Sequence, residues 1–156
     1  MDSVTGLANH IERTLDGPMW HGPALLEILN GVSPDAAAAR PVPGGHTIWE
    51  LVLHTAVWAE IARARLRGDA VESPPPAEDF PAPAEPTAEQ WAAAIGRLDQ
   101  SYRDLARAVS RLSDGDLALP IPTAGAPHTA EHMIRGVIEH GTYHGGQIAL
   151  LKRARP

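Results

Sequence analysis

Seven residues in the second half of the chain, Trp91, Ile95, Leu98, Tyr102, Leu105, Val109 and Leu112, recur every three or four positions without a break. Only an α-helix gathers residues at that spacing onto one face; a strand would scatter them over both sides of a sheet. A stripe that long cannot be buried by one helix alone, so the chain must supply partners of the same kind. Three further stretches carry the same period. Val4, Leu7, Ile11 and Leu15 begin the first, which resumes after Gly17-Pro18 with Leu25, Ile28 and Leu29. Ile48, Leu51, His54, Trp58 and Ile61 form the second, and Met133, Val137, His140, His144, Ile148 and Leu151 the last. No segment alternates as a half-buried strand does. The expected architecture is all-α, a four-helix bundle formed by one domain over residues 1–156.

Local signals set the helix limits. Thr47 with Glu50, and Thr87 with Gln90, have the spacing of capping boxes. The run from Ser113 to Asp116 stops the third helix, and Pro120, Pro122 and Pro127 hold a loop before a last helix over roughly 127–153. Residues 69–86 contain six prolines and five acidic residues but no Lys or Arg. They read as a semi-rigid surface connection. A connection of that length permits a crossing between parallel helices, where a short loop would force antiparallel neighbours.

Composition excludes several functions. A net charge of -6, from 13 basic and 19 acidic residues, argues against non-specific binding to nucleic acid or an anionic membrane. The chain has no cysteine, so disulfides, zinc–thiolate sites and a protein thiol nucleophile are excluded, and thiol chemistry would need a thiol co-substrate. No stretch approaches ~18 consecutive apolar residues, and the N-terminus lacks the pattern of a signal peptide, so a cytoplasmic protein is expected. Phosphate-binding glycine loops, nucleophile-elbow serines and dinucleotide fingerprints are missing.

Histidine is the residue type that remains. The chain has eight, and His54, His140 and His144 occupy stripe positions that should face the bundle axis. His140 and His144 are one helical turn apart and project together. Three imidazoles on facing helices can hold one metal ion and leave a coordination position open, as a catalytic site does. The alternative is a set of hydrogen-bonded core histidines with no metal. Gly141, Gly145 and Gly146 each cost a helix interior ~1 kcal/mol, which calls for compensation by close packing or by space above a metal. Tyr143 and Gln147 flank the pair. Glu50 lies one turn before His54 but is better explained by its cap. His128 and His132 are rotated roughly 80–120° from the ligand face and read as solvent-facing. His46 reads as a loop residue. Arg103, Arg107 and Arg111 form a solvated row, and Trp20, Trp49, Trp58 and Trp91 read as core or interface residues.

Three segments, Trp20-His-Gly-Pro23, His46-Thr-Ile-Trp-Glu-Leu-Val-Leu-His54 and His140-Gly-Thr-Tyr-His144-Gly-Gly-Gln-Ile148, resemble the DinB-like (DinB/YfiT-like) superfamily of metal-binding bundles. The resemblance spans nearly the whole chain. It implies an up-down-down-up topology with the long crossover between helices 2 and 3. It also implies a divalent metal, zinc, nickel, iron or manganese, on His54, His140 and His144, and a homodimer. Some members transfer small thiols of the bacillithiol, mycothiol or glutathione type. The resemblance therefore implies a metal-dependent thiol S-transferase whose partners are a small-molecule thiol and an electrophile. No general base is evident beside the ligands, and no catalytic residue is assigned. That keeps open a non-catalytic metal-binding or stress-associated bundle.

Overall fold

The computed structural model describes residues 3–82, 85–123 and 127–154. Residues 83 and 84 of the proline-rich connection, and 124–126 of the loop before the last helix, lie outside the described residues. Four long helices carry the fold: α1 (Val4–Asp16), α4 (Ile48–Leu66), α6 (Ala88–Val109) and α7 (Ala130–Arg153). Three short ones fill the connections: α2 (Leu25–Leu29), α3 (Pro34–Ala38) and α5 (Pro76–Asp79). Among the described residues there is no strand, and no helix is long and apolar enough to cross a membrane.

The caps act as the sequence predicts, with one exception. Thr47 Oγ1 accepts from Glu50 N at 3.1 Å while Glu50 Oε2 accepts from Thr47 N at 2.8 Å. Both free donors at the start of α4 are thereby satisfied. At α6 only half of the box forms. Thr87 Oγ1 accepts from Gln90 N, but the Gln90 side chain accepts from Glu85 N instead of Thr87 N. Asp114, in the turn after α6, accepts from Val4 N at 2.9 Å and places a carboxylate on the positive end of α1.

Pairings between helices give the topology. Asp16, at the C-terminal end of α1, meets Arg103, whereas Val4 at its N-terminal end meets Asp114, so α1 and α6 are antiparallel. Trp49 packs on Trp91, and Glu60 and Arg63 pair with Arg97 and Asp104, so α4 and α6 run in the same direction. His54 meets His140, while Arg65 and Met133 share one cavity wall, so α4 and α7 are antiparallel. The bundle is therefore up-down-down-up. Residues 67–87 make the crossing that lets consecutive α4 and α6 lie parallel. Each of α1 and α4 packs against both α6 and α7.

The stripes meet as expected. Leu7, Ile11, Leu15, Leu51, Leu98, Tyr102, Leu105, Ile134 and Ile148 are all essentially inaccessible to solvent. Lys152 Nζ donates to the carbonyls of Ile28 and Asn30, tying the end of α7 to α2. Of the α7 glycines, two are explained by close packing. A Cβ on Gly141 would run into Tyr102 Oη and lie 3.0 Å from Thr14 Cγ2, and one on Gly145 would touch Ile28 and Leu25 at 3.4 and 3.5 Å. Gly146 has open space around it. Gly141→Ala should therefore destabilise the fold, since overpacking costs about 1–3 kcal/mol against ~1 kcal/mol of helix propensity gained. Gly146→Ala meets nothing and should stabilise by up to ~1 kcal/mol. Denaturant unfolding midpoints should move in opposite directions for the two variants.

Candidate metal centre

The antiparallel alignment of α4 and α7 sets His54 opposite His140 and His144. Their Nε2 atoms converge, with His54 to His140 at 2.9 Å and His144 to His140 at 3.0 Å. All three ligand atoms lie within 4.8 Å of one another. His54 and His144 are buried and His140 is half-buried.

The outer nitrogens determine what the inner ones can do. His54 Nδ1 faces the Asp79 carbonyl oxygen at 2.7 Å and the Asp79 carboxylate at 3.1 Å. Both are acceptors, so Nδ1 carries the proton and Nε2 is a bare lone pair. His144 Nδ1 faces Gln147 Oε1 at 2.6 Å, with the same consequence. Between these two lone pairs sits His140 Nε2, which has at most one proton to donate. One of the two short N···N contacts therefore sets lone pair against lone pair. A further proton is disfavoured, because burial, with the neighbouring His144 and His54, lowers the His140 pKa to about 3. His140 Nδ1 is itself buried without a hydrogen-bond partner. A cation at the point of convergence answers all three lone pairs together. Tetrahedral imidazole nitrogens on zinc are about 3.4 Å apart, so the two short contacts must open by roughly 0.4 Å and the His54–His144 pair, which lies within 4.8 Å, must come to the same spacing. The donor set fits a borderline transition metal such as zinc, nickel or iron.

A family model of the DinB superfamily matches residues 20–148, a span that contains all three histidines. The chain belongs to the DinB superfamily. Among solved structures, the crystal structure of a DinB-like protein from Bacillus cereus ATCC 10987 is similar to this chain at 17% identity, with a TM-score of 0.66. The match covers 97% of this chain and 91% of that one. At this identity the likeness concerns the fold. No curated protein matches the chain.

Within this DinB-superfamily bundle, the proline-rich crossover does more than connect helices. Its short helix α5 brings Asp79 and Phe80 onto the histidines. The Phe80 ring lies flat between His46 and His54, with centroids at 3.6 and 3.9 Å. Trp58 Nε1 donates to the Asp79 carboxylate at 2.8 Å, so the acid that orients His54 is itself oriented. Sequence reasoning treated 69–86 as surface connection and missed both residues. A signal was available: Phe80 is the chain's only phenylalanine and sits in an otherwise polar, proline-rich run.

Other sequence-predicted positions fall into place around this centre. Glu50 stays with its cap and Arg40 and approaches His46, not His54, at 3.5 Å. Burial would raise its pKa, but hydrogen bonds from Arg40 and Thr47 and the charges of Arg40 and His46 hold it below the usual carboxylate range. Tyr143 is exposed. Trp49 and Trp91 are core, Trp20 is fully exposed, and Trp58 lines a cavity beside His54 and His140. Arg103 and Arg107 pair with acids on the bundle surface. His132 bears out the solvent-facing reading, and His128 departs from it in part. His128 is half-buried and His132 exposed, and both line that same cavity.

The depressed pKa of His140 carries a pH dependence. In the unfolded chain an imidazole titrates near ~6.5; in the folded, metal-free chain His140 does so at about 3. Between those values the unfolded state holds the extra proton, so the contribution is complete above about pH 6.5 and is lost as the pH falls toward 3. Burial lowers His144 in the same direction. Chelator-treated protein should lose unfolding midpoint from pH 7 to 4 more steeply than chelator-treated His140→Leu. Equal slopes in the two proteins would show that His140 titrates normally.

Proposed function

We propose that His54, His140 and His144 hold a divalent transition metal and that the protein is a metal-dependent thiol S-transferase acting on small electrophiles. The observation that carries this reading is the convergence of three Nε2 atoms, two of whose histidines, His54 and His140, line a cavity of about 360 Å³. A structural zinc site is closed by a fourth protein ligand, whereas a catalytic one keeps a position for water or substrate. Glu50, the acid one turn from His54, is committed to Arg40 and Thr47 and leaves that position free.

A bound divalent metal would supply Lewis acidity that lowers the pKa of a co-substrate thiol and raises its thiolate fraction at neutral pH. The chain does the rest. Asp79 holds His54 in the tautomer that presents Nε2, and Gln147 does the same for His144. Phe80 covers the outer face of His54 and keeps water from that side. Ile61, Met133 and Val137 give the cavity an apolar wall against which an electrophile can rest. The reaction class is S-conjugation: a carbon–sulfur bond forms, the thiol proton passes to solvent, and the electrophile's leaving group departs with its electron pair.

One observation favours a non-catalytic metal-binding bundle instead. Asp79, the acid in the cavity wall, is occupied by Trp58 and His54 and is not free to move a proton. The two readings part on activity. Metal-loaded protein should accelerate conjugation of bacillithiol-, mycothiol- or glutathione-type thiols to an electrophile panel. Metallated protein inactive with all three thiols would leave only the binding reading.

The ligand assignment has its own test. His54→Ala, His140→Ala and His144→Ala should each lower bound metal sharply, while His128→Ala and His132→Ala should retain nearly the wild-type content by elemental analysis. Wild-type metal content in both His54→Ala and His144→Ala would overturn the site. Folding should persist in all five, since the apolar stripes hold the bundle without metal.

A further inference from the structure

The cavity beside the histidines extends away from them along the seam between α4 and α7, and its two ends differ in chemistry. At one end are His54, His140 and Asp79. At the other are Arg65, His128 and His132. Arg65 lies eleven residues beyond His54 on α4, about 16 Å along the axis, and His132 lies eight residues before His140 on α7, about 12 Å away. Because the helices are antiparallel, both displacements lead to the same end.

Arg65 is the unusual residue there. It is only 7% exposed, yet no carboxylate among the described residues pairs with it. Its Nε donates to the Val71 carbonyl at 2.9 Å, and Nη2 has one long contact, 3.5 Å, to Ser73 Oγ. Asp79, the acid that shares the cavity, is taken by Trp58 and His54. A buried guanidinium without a counter-charge is costly to hold. The other arginines facing a neighbouring helix, Arg63, Arg97 and Arg103, all have an acid. The two bonds Arg65 does make go to the start of the crossover through Nε and Nη2, and no hydrogen bond to a described residue holds Nη1 of this cavity-lining side chain.

We infer that Arg65 is the anchor for the carboxylate of an elongated organic acid, whose apolar body lies along Ile61, Met133 and Val137 and whose other end reaches His54 and His140. A guanidinium edge takes a carboxylate through two parallel hydrogen bonds, a geometry that lysine does not reproduce. His128 and His132, with ring centroids 5.5 Å apart, add imidazole donors at the same mouth. Asp79 sets the direction: its negative charge repels a carboxylate from the histidine end and Arg65 attracts it to the far end. This assignment rests on the proposed function only for what happens at the histidines; the anchor itself needs no metal.

The test uses the full chain after chelation and two probes of one shape, 4-phenylbutyrate and its neutral amide, with affinities read by calorimetry. Wild type should bind the acid at least ~tenfold more tightly than the amide. Arg65→Gln should bring that ratio near one while leaving the amide affinity unchanged, and Arg65→Lys should keep part of it. Gly136 lines the same cavity at an exposed position with open space around it. Gly136→Phe should therefore fold and should weaken the acid ~tenfold or more by filling the seam. If Arg65→Gln does not fold, Arg65→Lys and Gly136→Phe decide. A wild-type ratio near one, a wild-type ratio retained in folded Arg65→Gln, or acid binding untouched by Gly136→Phe would each overturn the anchor. Acid selectivity together with absent metal or absent conjugation would overturn the proposed function and leave the anchor standing.

Discussion

Two imidazole protons are already committed when the third histidine enters the cluster. His54 gives its Nδ1 proton to Asp79 and His144 gives its own to Gln147, so both present lone pairs to His140. No neutral arrangement of protons on three such rings satisfies every short contact. A positive charge at the point of convergence would satisfy all three rings, and burial makes a proton a poor candidate for that role. The surrounding structure maintains this condition. Remove the Asp79 acceptor and His54 could turn its Nε2 into a donor, and the three lone pairs would no longer be forced together.

That dependence explains why the crossover is proline-rich and long. A minimal loop would join α4 and α6 as antiparallel neighbours and would never pass the histidines. The longer path makes the two helices parallel and, on the way, carries Asp79 and Phe80 over His54. Prolines restrict the conformations of the free chain, which reduces the entropy lost on holding such a segment in place. The same crossover supplies the Val71 carbonyl that fixes Arg65. One connection thus positions the acceptor and the ring that hold His54 and the charged group at the other end of the cavity.

Close packing on the adjacent face of α7 fixes the histidines from the side. Gly141, next to His140, lets Tyr102 and Thr14 approach the α7 backbone, and Gly145, next to His144, lets Leu25 and Ile28 do so. The two histidine-bearing turns are thereby packed closely against α1, α2 and α6 without side chains of their own in between. Tyr102 is wholly buried with its hydroxyl unpaired, and desolvation raises its pKa, so it acts as a neutral packing ring. Stability and site geometry share these contacts, because interiors packed at this density transmit small displacements directly.

The sequence by itself determined the elements and the three histidines. Apolar residues at helical spacing name the buried faces whatever the partners turn out to be, and the Thr47 and Thr87 caps mark where α4 and α6 begin. His54, His140 and His144 were legible because each replaces an apolar residue on such a face, an exchange that burial makes costly unless a partner is supplied. The Gln90 half of the second box was not legible, since a side chain chooses between acceptors only once the preceding loop is placed. Asp79, Phe80, Arg65, His128 and His132 belong to the tertiary structure for a related reason. Asp79 and Phe80 lie in a non-periodic segment, and although Arg65 continues the stripe of His54, Trp58 and Ile61, a period names a face and not what that face will meet. What each faces depends on the path of the crossover, on the antiparallel setting of α4 against α7, and on the gap that setting leaves at one end. Periodicity reports which side of a helix is buried; it carries no information about what a non-periodic segment, or the open end of a seam, will be brought against.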